Sequence, residues 1–207
     1  MHVHSSTKRQ NRNFFKEVNP FIRLMISADI LINGATGLIG PVFAIFISNS
    51  IVGGSEMTAG IAAGLFLFTR SVAQIPIANF IDRNKGERDH FKFLVGFNLL
   101  AGLVPLFYLL ISSELQLYAV QLVLGLCSAF TFPTFTALYT RHIDKDKIGT
   151  EWSIYYTFND LSIAFFSAIG GFVAFKFGFH TLIIISAGLT ILGTLVLLPA
   201  RRLVFKK

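Results

Sequence analysis

Apolar runs of membrane-crossing length set the terms for everything else in this chain. They cover residues 21–48, 58–81, 93–111, 116–139, 153–175 and 181–200, and each holds at most one or two ionisable residues. A helix rises ~1.5 Å per residue, so about 17–25 apolar residues cross a hydrocarbon core of about 30 Å. Water-soluble helices of this length would not carry Pro41, Pro76, Pro105 and Pro133 inside them. Membrane helices do, because neighbours re-satisfy the freed backbone groups. Six crossings in one compact bundle are therefore expected over residues 21–200. A polar, basic lead (1–20) precedes them and a basic tail (201–207) follows.

Composition agrees. Of 207 residues, 53% are hydrophobic and only 14% are charged, against roughly 25% charged in a soluble domain. Twenty-three phenylalanines on a water-facing surface would form large adhesive patches. The net charge of +7 invites a nucleic-acid reading, but its distribution rejects one. Lys8, Arg9, Arg12 and Lys16 precede the first run, and Arg83, Lys85, Arg88 and Lys92 follow the second. Arg141, Lys145 and Lys147 follow the fourth, while Arg201, Arg202, Lys206 and Lys207 follow the sixth. The alternate loops offer Lys176 at one edge and otherwise Glu56, Glu114 and His180. By the positive-inside rule both termini are expected in the cytoplasm of a cell-membrane protein. The first run exceeds a signal-peptide core of about 7–15 residues and is expected to remain.

Buried charges mark function or pairing, since each costs at least ~2.5–3.5 kcal/mol to insert. Asp29, Arg70 and Asp160 fall inside the first, second and fifth runs, while the third and sixth have no ionisable residue in their interiors. Residues four apart share a helix face. Asp29, Asn33, Gly37 and Pro41 form one such stripe, and Arg70, Gln74 and Ala78 a second. Tyr156, Asp160, Ala164 and Ala168 form a third, with Asn159 and Ser167 beside it; the fourth run supplies Gln121, Ser128, Thr131 and Thr134. Two readings stand. The polar residues line a solute or proton path, or Arg70 pairs with Asp29 or Asp160 to neutralise buried charge. Two carboxylates competing for one guanidinium favour the path, because one of them is left to take up a proton. Trp152, Tyr155 and Tyr156 read more simply as interfacial anchors.

Catalytic chemistry finds no foothold. Cys127 is the only cysteine, so neither a disulfide nor a cysteine-based metal site can form. There is no G-x-S-G, no H-E-x-x-H and no histidine within a run; His142 and His180 stand at run ends. No enzyme, cofactor or metal is expected.

After the second run the chain reads Ala78-Asn79-Phe80-Ile81-Asp82-Arg83-Asn84-Lys85-Gly86-Glu87-Arg88. This resembles the G-x-x-x-D-R-x-G-R-R signature between helices two and three of the major facilitator superfamily. Ala78 replaces the first glycine, and one extra residue precedes Gly86. Gly34 through Pro41 is similar to that family's glycine–proline first helix. Ala168-Ile169-Gly170-Gly171-Phe172, followed by Phe177-Gly178-Phe179, is similar to its fifth helix and the turn beyond, without the Gly-Pro of antiporters. Gln121 stands where proton antiporters carry arginine.

The resemblance implies an all-α bundle of six transmembrane helices, equivalent to one half of a twelve-helix carrier and built as a 3+3 inverted repeat. It implies a secondary transporter moving a small solute by alternating access. Asp82, Arg83, Gly86 and Arg88 would form its cytoplasmic gate. Asp29, Asn33, Arg70, Gln74, Gln121, Thr131, Tyr156, Asn159 and Asp160 would line its path. A second copy or a separate half would complete the cavity. The alternative is a non-transporting scaffold or regulator that pairs with a full transporter.

Overall fold

The computed structural model describes residues 18–83 and 86–204. Most of the basic lead, the last three residues of the tail, and Asn84 and Lys85 of the loop signature lie outside the described residues. The described residues hold seven α-helices: α1 (Pro20–Ile39), α2 (Phe43–Ser50), α3 (Glu56–Arg83), α4 (Glu87–Leu103), α5 (Glu114–His142), α6 (Ile148–Leu197) and α7 (Arg201–Val204). Counting α2 with α1, and α7 with α6, five helical stretches among the described residues are long and apolar enough to cross a membrane.

Local chemistry explains the boundaries. Asn19 caps α1 by accepting the Phe21 amide at 2.9 Å, with Pro20 at the first helical position. Pro41 cannot donate to the helical ladder, and the chain passes through a 3-10 turn, Gly40–Val42, before resuming as α2. Pro105 falls in a similar turn, Val104–Leu109, at the end of α4. Pro76 and Pro133 are absorbed within continuous α3 and α5. Ser113 and Gln116 form a capping box that opens α5.

The long α6 is two arms rather than one rod. Gly178 has φ 81° and ψ 170°, a backbone conformation open to glycine because it lacks a Cβ. Trp152 near one end of the helix and Val196 and Leu197 near the other pack in a single apolar cluster with Phe21, Met25 and Tyr139. That is possible only if the chain folds back between them. The turn that the resemblance implies at Phe177-Gly178-Phe179 falls at this break.

Packing is uneven. α1 lies mostly against α6, and α3 against α5; α4 touches both α5 and α6. One apolar cluster, including Phe21, Ile22, Leu94, Leu138, Tyr139 and Ala200, closes the end that carries the basic loops. A second, including Phe46, Ile47, Tyr108, Leu117 and Ile183, closes the far end. There Thr58 of α3 donates to the Glu114 carboxylate at 2.6 Å, and the Val52 amide bonds to the Ser112 carbonyl at 2.8 Å. In α4 and the second arm of α6, Gly102 lets Thr190 approach so closely that an added Cβ would sit 3.1 Å from its methyl carbon. Both elements keep an exposed apolar face, with Leu100 and Leu103 on one and Ile184, Leu192 and Leu195 on the other.

Candidate functional site: a polar seam beside an open face

The seam between α1 and the first arm of α6 is assembled from small residues. Gly37 brings the backbones together; a Cβ there would lie 2.9 Å from the Ile163 carbonyl oxygen. Hydroxyls then tie the two elements to each other. Ser162 donates to the Ile30 carbonyl and Ser167 to that of Gly37, while Ser186 from the second arm donates to that of Ala35. Such interhelical bonds are worth about 0.6 kcal/mol each in a bilayer, so several are needed to hold a pair.

Asp29 occupies the middle of this seam. Its Oδ2 accepts from Asn33 Nδ2 at 2.7 Å and from the Tyr155 hydroxyl at 2.8 Å. Asn33 Nδ2 also donates to Asn159 Oδ1 at 2.6 Å. Among the described residues the carboxylate thus has neutral donors and no cationic partner. Arg70 is elsewhere: its guanidinium carbon stands 4.7 Å above the Phe132 ring of α5, a cation–π contact. Among the described residues no ion pair joins Arg70 to Asp29 or Asp160. The pairing that the sequence offers as one way to neutralise buried charge is not formed within this chain.

The other sequence-selected residues divide by location. Asn159 belongs to the seam, whereas Tyr156 and Asp160 point away from it and are exposed. The seam runs along Tyr155, Asn159, Ser162 and Phe166, one residue over from the stripe that the sequence suggests. Gln121 is buried and donates to the Tyr108 hydroxyl at 3.0 Å, tying α5 to the end of α4. Thr131 donates back to the Ser128 carbonyl of its own helix. Gln74 lies half-buried in a groove of about 480 Å³ between α3 and α5. That groove is also lined by Ala78, Asp82, Thr136, Thr140 and Arg141. Asp82, Arg83, Gly86 and Arg88 are all exposed, with Gly86 preceding α4 as its cap.

Sequence reasoning missed Tyr155 and His90. Tyr155 belongs to an aromatic group with Phe135, Tyr139, Trp152 and Tyr156, yet it spends its hydroxyl on Asp29. Its signal was available, because it precedes Asn159 by one helical turn. His90 is completely buried where α3, α4 and α5 meet. Nothing in its sequence neighbourhood separates it from a surface histidine.

These features define an all-helical, multi-pass membrane protein with a polar seam next to an uncovered face. Residues 25–204 match the family model of the Major Facilitator Superfamily, and the chain belongs to that family. It is also 28% identical over 142 residues to an uncharacterised transporter of the same type from Methanocaldococcus jannaschii. That match covers 69% of this chain and 35% of the relative, so the chain spans about a third of that relative's length.

Proposed function

We propose that this chain acts as one six-helix half of a secondary carrier, with Asp29 and its ring of neutral donors contacting the solute or a coupling proton. The two arms of α6 count as the fifth and sixth crossings, separated at Gly178. Both termini lie in the cytoplasm of a cell-membrane protein, on the side where the basic loops gather. The groove that ends in Asp82 forms part of the cytoplasmic gate. A second half, supplied by another copy or by a separate segment, covers α3 and the exposed face of Tyr156 and Asp160.

The observation that carries this reading is the Asp29 centre. A carboxylate inside an apolar helix, held by Asn33 and Tyr155 instead of by Arg70, keeps its charge available to a visiting cation or proton. A purely structural acid would be neutralised by the nearest guanidinium. The pairing of helices supports a 3+3 inverted repeat. The first crossing packs on the fifth through Gly37, and the fourth on the second through Gly125, where a Cβ would lie 2.8 Å from the Phe66 carbonyl oxygen. Exchanging first with fourth and second with fifth turns one contact into the other.

Flux into liposomes containing the purified chain, measured under imposed proton and solute gradients, tests the proposal. Asp29→Asn is expected to abolish proton-coupled uptake while leaving the melting temperature near that of the parent. Uptake unchanged in D29N would remove Asp29 from the mechanism. Absence of flux under every gradient, despite a folded chain with a second copy bound, would favour the scaffold alternative.

A further inference from the structure

Two exposed stripes run side by side along α4 and the second arm of α6, and each leads to a cation. On α4, Lys92, Gly96, Leu100 and Leu103 are all exposed. Their spacing of three or four residues places them on one helix face. On the other element Leu192, Leu195 and Leu198 are exposed, and Arg201 follows three residues later. The two elements are antiparallel. Gly102 meets Thr190 at one end, while Leu198 and Arg201 share a groove with Phe91, Lys92, Val95 and Gly96 at the other.

This groove encloses about 360 Å³, at the end of the bundle that carries the basic loops. Gly96 makes the space, because a Cβ there would meet no protein atom within 4 Å. Glycine is unfavourable in a helix interior and serves where a ligand approaches the backbone closely. The close approach of Thr190 accounts for Gly102; no protein atom accounts for Gly96. From Lys92 to Leu103 the helix rises about 16 Å, the depth of one leaflet in a hydrocarbon core of about 30 Å.

The charges at the mouth favour an anion. Lys92 pairs with Asp89 at 3.0 Å, but its side chain is 70% exposed. Such surface pairs are weak, and an ammonium has three donors to share. Arg88 and Arg201 have partners of their own, and a guanidinium with five donors can keep one partner and bind another. Arg202, the next residue, is exposed. Glu87 is turned toward His142, at 3.9 Å. A water-soluble anion would use the cations and leave the leucines uncovered, whereas a phospholipid uses both.

We propose that this groove binds one anionic phospholipid, its headgroup between Lys92 and Arg201 and an acyl chain laid over Gly96 toward Leu100 and Leu103. The second acyl chain follows Leu198, Leu195 and Leu192. Basic pockets between membrane helices suit such headgroups. No residue lining this groove lines the groove of Asp82 or bonds to Asp29. The lipid site therefore stands or falls independently of solute transport.

The test titrates the full chain in detergent with phosphatidylglycerol, or with phosphatidylcholine of the same acyl chains. Retained lipid is counted by native mass spectrometry. Phosphatidylglycerol is expected to saturate at one molecule per chain, at concentrations where phosphatidylcholine is not retained. Lys92→Gln and Arg201→Gln are each expected to weaken its retention about fivefold, the scale of one basic residue near an anionic surface. Gly96→Leu keeps both cations but fills the groove. It is expected to lower retention at least as much while preserving the melting temperature, since its Cβ meets no neighbour. Equal retention of the two lipids by the parent overturns the proposal, as does undiminished phosphatidylglycerol binding in G96L. Inorganic phosphate in large excess is expected not to displace the lipid. Displacement by it would show a phosphate site without a lipid seat, and refutes the proposal. If a glutamine variant does not fold, the parent's preference and G96L decide the matter.

Discussion

Helices α1 and α3 are built from similar material and end in different surroundings. Each is apolar, interrupted by one central charge, and supplied with small residues. In α1, nine residues of twenty are buried, among them Gly34, Ala35 and Gly37. In the 28 residues of α3, only Thr58, Ala62 and Ile81 are buried. The difference lies in what the glycines meet. Gly37 meets the backbone of α6, whereas Gly60 and Gly64 have open space around them. Apolar composition identifies the solvent of a helix, but close approach identifies its neighbour. α3 is therefore gripped along one stripe by α5 and left uncovered on most of the rest of its surface.

The sharpest way to break this contrast is steric. Gly37→Leu forces a side chain into the Ile163 carbonyl and is expected to cost about 3 kcal/mol, the upper range for overpacking. It should appear as loss of folded protein in detergent melting curves. Gly64→Leu is expected to leave the melting temperature of the isolated chain unchanged. If G64L instead prevents co-purification of a second half, it maps the covering surface directly. If both variants unfold alike, the contrast between the helices is wrong.

A smaller effect separates the seam from the exposed stripe. Tyr155→Phe removes one of the two donors to Asp29 and is expected to cost about 1 kcal/mol, read as a lower melting temperature. Tyr156→Phe, one residue along and exposed, is expected to cost nothing measurable in the same assay. The smallest effect concerns Arg70. Replacing Phe132 with leucine keeps the apolar volume but removes the ring face, and it is expected to cost about 0.5–1 kcal/mol. Equal stability in F132L and the parent would show that Arg70 does not rely on the ring.

Much of the architecture was legible because a bilayer imposes length and polarity so strictly. The first two runs and the fourth correspond to helices found in the structure, and the corner at Gly178 follows from a glycine between two apolar runs. The candidate site was legible in part. Asp29, Asn33 and Asn159 stood out as polar residues in apolar helices, and the structure brings them together. The rotational setting of the first arm of α6 was not legible. Side chains one position apart differ by about 100° around the axis, and the polarity of Asp160 drew the stripe toward the exposed side. Tyr155 was passed over because an aromatic ring near a helix entry has a simpler use at the membrane interface. His90 needs three helix ends to acquire partners, and no local pattern announces that.

The seam around Asp29 also sets a timetable for biosynthesis. Asn33 and its partner Asn159 are separated by 126 positions, which at about 5–20 residues per second corresponds to about 6–25 s of translation. During that interval Asp29 and Asn33 exist while their partners across the seam, the Tyr155 hydroxyl and the Asn159 amide, do not. The newborn helix holds its acid and its amide without these partners until the first arm of α6 arrives. The first helix described is therefore among the last to complete its polar contacts.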